Sequence, residues 1–189
     1  MTSPVDPLAV AAVVVGILSR LGILHTIGGS IAASFAGEPR STVDIDVIAA
    51  LDDAQVAALV AALSPDFYVD EDAVRRAVRK RSSVNLIHHA TMLKVDIFVA
   101  GGTPLDTEQL ERRLWVRLDN GVELPIHPPE DILLQKLRWF RLGGEASDRQ
   151  WRDILSIVRV QGGALDLPYL QRQAPKLGVS DLLHRAMES

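Results

Sequence analysis

From Leu8 to Ile17 every position except Gly16 is apolar, and Pro4, Asp6 and Pro7 stand just ahead of the run. Proline is tolerated where a helix begins and an aspartate can cap it, so the pattern predicts a buried helix over about 6–21, ended by Gly22. The run is about ten residues long, half of what crosses a bilayer. No lysine or arginine precedes it, as a secretory signal requires. A soluble, cytoplasmic protein with no membrane partner is expected. A short apolar strand is predicted over Ile23–Ile27, then Gly28-Gly29-Ser30 and a helix over Ile31–Phe35. Val43–Ala49 alternates with a period of two, the mark of a strand. In that reading Val43, Ile45 and Val47 face the core.

Further along, the pattern predicts helices over 53–63, 71–81 and 105–113. Strands are predicted over 66–69, 83–88 and 92–99, the last two joined by a turn near His89-Ala90. Leu114–Leu118 and Val122–Ile126 flank Asp119-Asn120-Gly121, a strong hairpin signal because Asn-Gly accepts positive φ. Beyond Ile126 the strand pattern stops. Pro128-Pro129 opens a helix to about Leu142, with Glu130 and Asp131 in the first turn, where the helix dipole favours acids. Helices over 147–160, 168–173 and 180–187 follow. The chain therefore divides into a mixed α/β segment, 1–127, and a helical segment, 128–189.

Composition narrows the chemistry. The 189 residues contain no cysteine, which excludes disulfides, thiolate metal sites and a thiol nucleophile. The net charge of −4 rules out a polycation built to coat nucleic acid. The charge is unevenly placed, however. Residues 1–72 hold ten acids and two bases, whereas 73–94 hold Arg75, Arg76, Arg79, Lys80, Arg81 and Lys94 and no acid. This stretch is either a solvated helix-to-strand turn or a face for phosphate or RNA.

Asp44 and Asp46 are two apart on one strand, so both carboxylates point to one face, about 6–7 Å apart. They repel each other unless a cation lies between them, and oxygen ligands of this kind suit Mg²⁺ or Mn²⁺. Asp96 takes the same position in Val95-Asp96-Ile97, a second alternating strand. Three carboxylates on neighbouring strands can hold two divalent ions, which can clamp the attacking and leaving oxygens of a phosphoryl transfer. Gly28-Gly29-Ser30 lies between a strand and a helix start, where glycines admit close approach and free amides can bind an anion. Thirteen residues separate Ser30 from Asp44.

Taken in order, Ile27-Gly28-Gly29-Ser30, Val43-Asp44-Ile45-Asp46-Val47 and Val95-Asp96-Ile97 resemble the DNA polymerase beta-type nucleotidyltransferase superfamily. The resemblance implies an α+β fold, a short mixed β-sheet flanked by helices, followed here by the C-terminal helical segment. It also implies an NTP whose triphosphate lies on Gly28, Gly29 and Ser30. Asp44 and Asp46 would hold Mg²⁺, and Asp96 would ligate the catalytic metal or activate the acceptor. The helical half, with Glu130–Lys136 and Arg149–Leu155, resembles the AbiEii-type nucleotidyltransferase toxins. That group implies a lysine on one helix, Lys136, and an arginine-then-aspartate element on the next, ending in Asp153. Gln150 stands where the group usually has an extra acid. The group further implies an RNA acceptor such as tRNA and a partner antitoxin; a small hydroxyl compound or a protein side chain is the alternative acceptor, and a nucleotide-binding module without turnover is the non-enzymatic alternative.

Lys136 is expected to meet the triphosphate and, without nucleotide, to be held by Asp153. Arg40 and Thr42, just before the metal strand, are candidates for phosphate or sugar, or plain loop residues. His88 and His89 read as turn histidines. Trp115, Trp139 and Trp151 read as packing residues, any one of which can stack a base. No Gly-x-x-x-x-Gly-Lys or Gly-x-Gly-x-x-Gly motif occurs, which excludes P-loop and Rossmann readings.

Overall fold

The computed structural model describes residues 6–39 and 42–189. They fall into two compact units. One contains the sheet and takes residues 6–31 and 42–126; the other is helical and takes 32–39 and 127–189.

The sheet unit opens with α1 (Pro7–Arg20), whose cap is the Asp6 carboxylate accepting the Leu8 N–H at 2.9 Å. Val10, Ala11, Val14, Ile17 and Leu18, spaced three and four apart, are buried along one face. Gly22 adopts φ +67° past the helix end, and β1 (His25–Ile27) follows. Helix α2 (Gly29–Ala36) starts at Gly29 itself, two residues before the predicted start. Strand β2 (Ile45–Ala49) leads through a capped 3-10 turn, Asp53–Gln55, to α3 (Val56–Leu63). After β3 (Phe67–Tyr68) and α4 (Glu71–Lys80) come β4 (Ser83–His88) and β5 (Lys94–Val99). Helix α5 (Pro104–Glu111) precedes the hairpin β6 (Leu114–Arg117) and β7 (Glu123–Ile126).

These strands form one mixed sheet in the order β3-β4-β5-β2-β1-β7-β6. The β2–β5 and β1–β7 pairs are parallel, and the others antiparallel. One face of the central strands carries Ile45, Val47, Ala49, Val95, Ile97 and Val99, all buried; α4 packs on β4 and β5, and α1 on β1 and β7. The opposite face of β2 and β5 carries Asp46, Ile48, Asp96 and Phe98, half-buried. The hairpin forms as Asn-Gly predicts: Gly121 takes φ +83°, and the Leu118 N–H donates to the Val122 carbonyl at 2.8 Å.

Several predicted strands are shorter than expected, among them 43–49 and 92–99. The β2–β5 pairing begins at Ile45↔Val95, so Val43 and Asp44 precede the strand. Val43 is 64% exposed and does not anchor the core. Met92 lies in the turn before β5 with φ +60° and is exposed.

The helical unit consists of α6 (Pro129–Leu142), α7 (Asp148–Gln161), α8 (Leu167–Leu177) and α9 (Ser180–Met187), with a 3-10 turn at Gly162–Ala164. Residues 32–39 belong to it through contacts with α7: the Glu38 N–H donates to Ser156 Oγ at 2.6 Å, and Arg159 pairs with Glu38 at 3.2 Å. Helix α8 continues past its predicted end and contains Pro175, whose missing N–H leaves its backbone one donor short. Glu130 and Asp131 are buried rather than left facing solvent at a helix start. Glu130 accepts the Asp166 N–H at 2.9 Å, and the Tyr169 hydroxyl donates to Asp131. The two acids therefore fasten α6 to α8. Trp151 packs on Phe140 with ring centroids 5.1 Å apart, and the Arg185 guanidinium lies 4.2 Å above the Trp151 ring. Trp115 and Trp139 are more than half exposed and do not pack as expected. Among the described residues no helix is long and apolar enough to cross a membrane.

Candidate active site

Asp46 and Asp96 are register partners on the adjacent parallel strands β2 and β5. Their Cα atoms are therefore about 4.8 Å apart and their side chains leave the same face. Asp44 lies one residue before β2, exposed, and extending the register by one step sets it opposite Lys94. The Thr42 hydroxyl accepts the Asp44 N–H at 3.3 Å, so Thr42 fixes the backbone that delivers the first acid. Arg40 lies outside the described residues.

The glycine turn meets the acids directly. The Gly28 N–H donates to the Asp46 carbonyl at 3.0 Å. Gly29 takes φ +55°, and a Cβ built there lands on the Asp46 carboxylate. Only glycine lets the start of α2 and this carboxylate share the space. Ser30, half-buried, is the next residue of α2.

Two further polar residues belong to this cluster, and the sequence reading passed over both in this role. The Asn85 side-chain amide donates to Asp96, its register partner on β4. Lys94 Nζ lies 2.9 Å from Asp96 Oδ2, with side-chain exposures of 50% and 16%. The Lys94 ammonium is held above its ordinary pKa, first by the hydrogen bond to Asp96 and its charge, then by the charges of Asp44 and Asp46. Strand alternation contains the signal for Lys94: it stands two before Asp96, on the same face.

The carboxylate oxygens of Asp44, Asp46 and Asp96 are hard donors that fit Mg²⁺ or Mn²⁺, and the glycine cradle against Asp46 keeps side-chain carbon away from that carboxylate. Among the described residues no three histidine, aspartate or glutamate side chains form a ready-made metal cage. In this geometry Asp96 is committed to Lys94 and Asn85.

Lys136 and Asp153 meet within the helical unit. The Lys136 ammonium donates to Asp153 Oδ2 at 2.7 Å, and each side chain is only 12% exposed. Gln150, one turn before Asp153, is half-buried, and its N–H donates to the capping Ser147 hydroxyl at 3.3 Å.

The basic stretch separates into two groups. Arg75 pairs with Glu71 at 2.7 Å and Asp53 at 3.1 Å. Arg81 ends α4 at φ +48° and donates to the Ala100 carbonyl at 2.8 Å. Both are structural. Arg76 and Lys80, one turn apart on α4, line a groove of about 440 Å³ with Tyr68, Ser83 and Asn85. Arg76 lies 3.6 Å from Asp70, a loose pair, and Tyr68 is 64% exposed. Strand β3 pairs only with Ile87 and His88, which leaves the Ser83–Asn85 edge of β4 open to this groove. Asn85 joins the groove to Asp96. His88 is not a free turn histidine: it packs on Phe67 at 5.1 Å, and its Nδ1 lies 2.8 Å from the Thr91 hydroxyl.

The fold is that of nucleotidyltransferase-like proteins, a mixed sheet with flanking helices. An antigenic nucleotidyltransferase-like protein from Paracoccidioides brasiliensis superposes with a TM-score of 0.58 and 19% identity, over 97% of this chain and 92% of that one. The antibiotic-resistance factor ANT(2'')-Ia gives a TM-score of 0.56 at 11% identity, over 97% of this chain and 100% of that one. A putative nucleotidyltransferase from Thermotoga maritima gives 0.50 at 16% identity, over 77% of this chain and 92% of that one. No family model matches the sequence, and no curated protein matches it.

Proposed function

We propose that the protein is a divalent-metal-dependent nucleotidyltransferase that moves NMP from an NTP to an acceptor hydroxyl. The observation that carries this reading is the pairing of Asp46 with Asp96 on neighbouring strands, with the Gly29 turn seated against the Asp46 carboxylate. In the reaction the acceptor oxygen bonds to the α-phosphorus, the bond from that phosphorus to the bridging oxygen breaks, and pyrophosphate leaves. Mg²⁺ or Mn²⁺, when bound, neutralises the charge that develops on the phosphoryl oxygens. Asp44 and Asp46 would hold it, and Asp96 would complete the set or receive the acceptor proton. Gly28, Gly29 and Ser30 offer the start of α2 to the β- and γ-phosphates.

For the acceptor, the groove along α4 favours an RNA end. It is basic at Arg76 and Lys80, carries an exposed aromatic ring at Tyr68, and leads to Asn85 beside Asp96. Phosphates pair with such cations, and an unpaired base stacks on such a ring. A small hydroxyl compound is the second reading. It is supported by the likeness to ANT(2'')-Ia over nearly the whole of both chains, a protein solved with adenylyl-2''-tobramycin.

The test is incubation of the purified protein with each α-labelled NTP, Mg²⁺ and total cell extract. Label in RNA that is lost in Asp46→Asn supports the first reading, and label in a small compound supports the second. If no label moves with any NTP while the protein is folded, the enzyme reading fails.

A further inference from the structure

The acids are not three isolated charges but three corners of a square whose fourth corner is a lysine. Asp46 on β2 and Lys94 and Asp96 on β5 share a face, and Asp44 lies two residues before Asp46, just ahead of β2. Register sets Asp46 beside Asp96, and one step further sets Asp44 opposite Lys94. Lys94 lies 2.9 Å from Asp96 Oδ2, so the chain brings a cation of its own to the cluster. Nothing else about β5 requires a lysine here. Its side chain is half exposed, and its neighbour across β4 is Ile87.

We propose that Lys94 is an internal counter-ion of the acid square, which a divalent metal must displace from Asp96 in order to bind. The proposal rests on the metal-binding reading of Asp44, Asp46 and Asp96. A divalent ion on Asp96 would sit within a few ångströms of the ammonium 2.9 Å from Oδ2, and the repulsion between the two cations favours breaking the Lys94–Asp96 pair when the site is loaded. The pair then sets the metal concentration at which the site fills. Without metal it holds the mutually repelling acids together; with metal the ammonium is freed to solvent on the same face. Lys94 is thus a positioning residue for the cluster, acting through Asp96.

Two measurements on the full chain test this, neither of which needs turnover. In the first, the Lys94 side-chain ¹⁵N resonance is followed by NMR while Mg²⁺ is added. It is expected to start at a hydrogen-bonded position that Asp96→Asn abolishes. It should then move to that of a solvated lysine along the same curve as calorimetric Mg²⁺ binding. In the second, Lys94→Gln is expected to bind Mn²⁺ roughly two- to fivefold more tightly than wild type, the worth of a part-exposed ion pair. Its melting temperature should fall without metal and match wild type when metal is saturating. A Lys94 resonance that stays put while Mg²⁺ saturates the site overturns the displacement, even if Lys94→Gln tightens binding through loss of charge alone. Wild-type protein that binds neither ion, or binds them equally well as Asp44→Asn, overturns the metal reading and this proposal with it.

Discussion

At Gly29 a single hydrogen atom decides whether the two halves of the sheet-unit motif fit together. The turn that starts α2 and the Asp46 carboxylate occupy adjoining space, and a methyl group at position 29 collides with that carboxylate at a backbone angle L-residues rarely adopt. Gly29→Ala is therefore expected to lower stability by about 1–3 kcal/mol and to reduce nucleotidyl transfer more than stability alone explains. Urea melts and single-turnover rates measured at a temperature where the variant is folded separate the two effects. Asp46→Asn makes the complementary change. It keeps the shape and the core face of β2, so the fold should survive while transfer drops at least about a hundredfold. Wild-type turnover in Asp46→Asn would remove the acid from the mechanism. These residues were legible because motif and alternation state their positions outright. Asn85 was not, because its role comes from lying across a strand from Asp96, and register is absent from a single strand's pattern; for Lys94 the alternation held the signal, two before Asp96 on the same face, but the residue was read with the basic run.

Among the elements, α4 shows how a charge cluster read along the chain comes apart in three dimensions. Helical spacing sends Arg75 toward Glu71 and Asp53, ends the helix at Arg81 over the Ala100 carbonyl, and leaves Arg76 and Lys80 on the groove. Neutralising the whole cluster would mix folding with binding. The informative variant is Arg76→Gln with Lys80→Gln. If RNA is the acceptor, it should flatten the salt dependence of single-stranded RNA binding by roughly 1.4 in log–log slope, two phosphates' worth, and leave NTP affinity unchanged. An unaltered slope would make the groove a solvated surface. Helices α6 and α7 carry the converse case. The Lys136–Asp153 pair forms as expected without nucleotide, but with both groups 12% exposed it is no surface contact. Lys136→Ala is therefore expected to cost about 2 kcal/mol of stability, because Asp153 loses its cation in a poorly solvated place. Lys136→Met combined with Asp153→Asn should recover most of that stability in urea melts. A double variant as unstable as Lys136→Ala would show that the stranded Asp153 charge is not what destabilises the fold.

The whole molecule adds what neither residue nor element contains, a division into a sheet unit and a helical unit in which residues 32–39 belong with the distant C-terminal helices. Chain order made the change of character after Ile126 visible, since period-two alternation stops there. It hid the capture of residues 32–39, which depends on contacts such as Glu38 with Ser156 across more than a hundred residues. Each unit also contains one buried histidine whose burial was not foreseen: His25 in the sheet unit and His127 in the helical one. Burial lowers the pKa of both, and that of His127 falls from 6.5 to about 4. The His127 ring is neutral at pH 7, and its Nδ1 lies 3.3 Å from the Gln135 side-chain nitrogen, a donor that a neutral ring accepts. The sign follows from proton counts. Between pH 6.5 and 4 the unfolded chain binds a proton at His127 that the folded chain refuses, so stability falls as the pH falls through that window. A depression from 6.5 to about 4 corresponds to about 3 kcal/mol, with His25 adding in the same direction. Carboxylates also titrate toward the lower end, so the diagnostic is the part of the loss that begins near pH 6.5, where aspartates and glutamates remain ionised. His127→Gln should flatten that upper part in urea melts across pH 7 to 5, whatever it does to stability at pH 7. An unchanged slope in the variant would show that the protonation of His127 is not what destabilises the fold in mild acid.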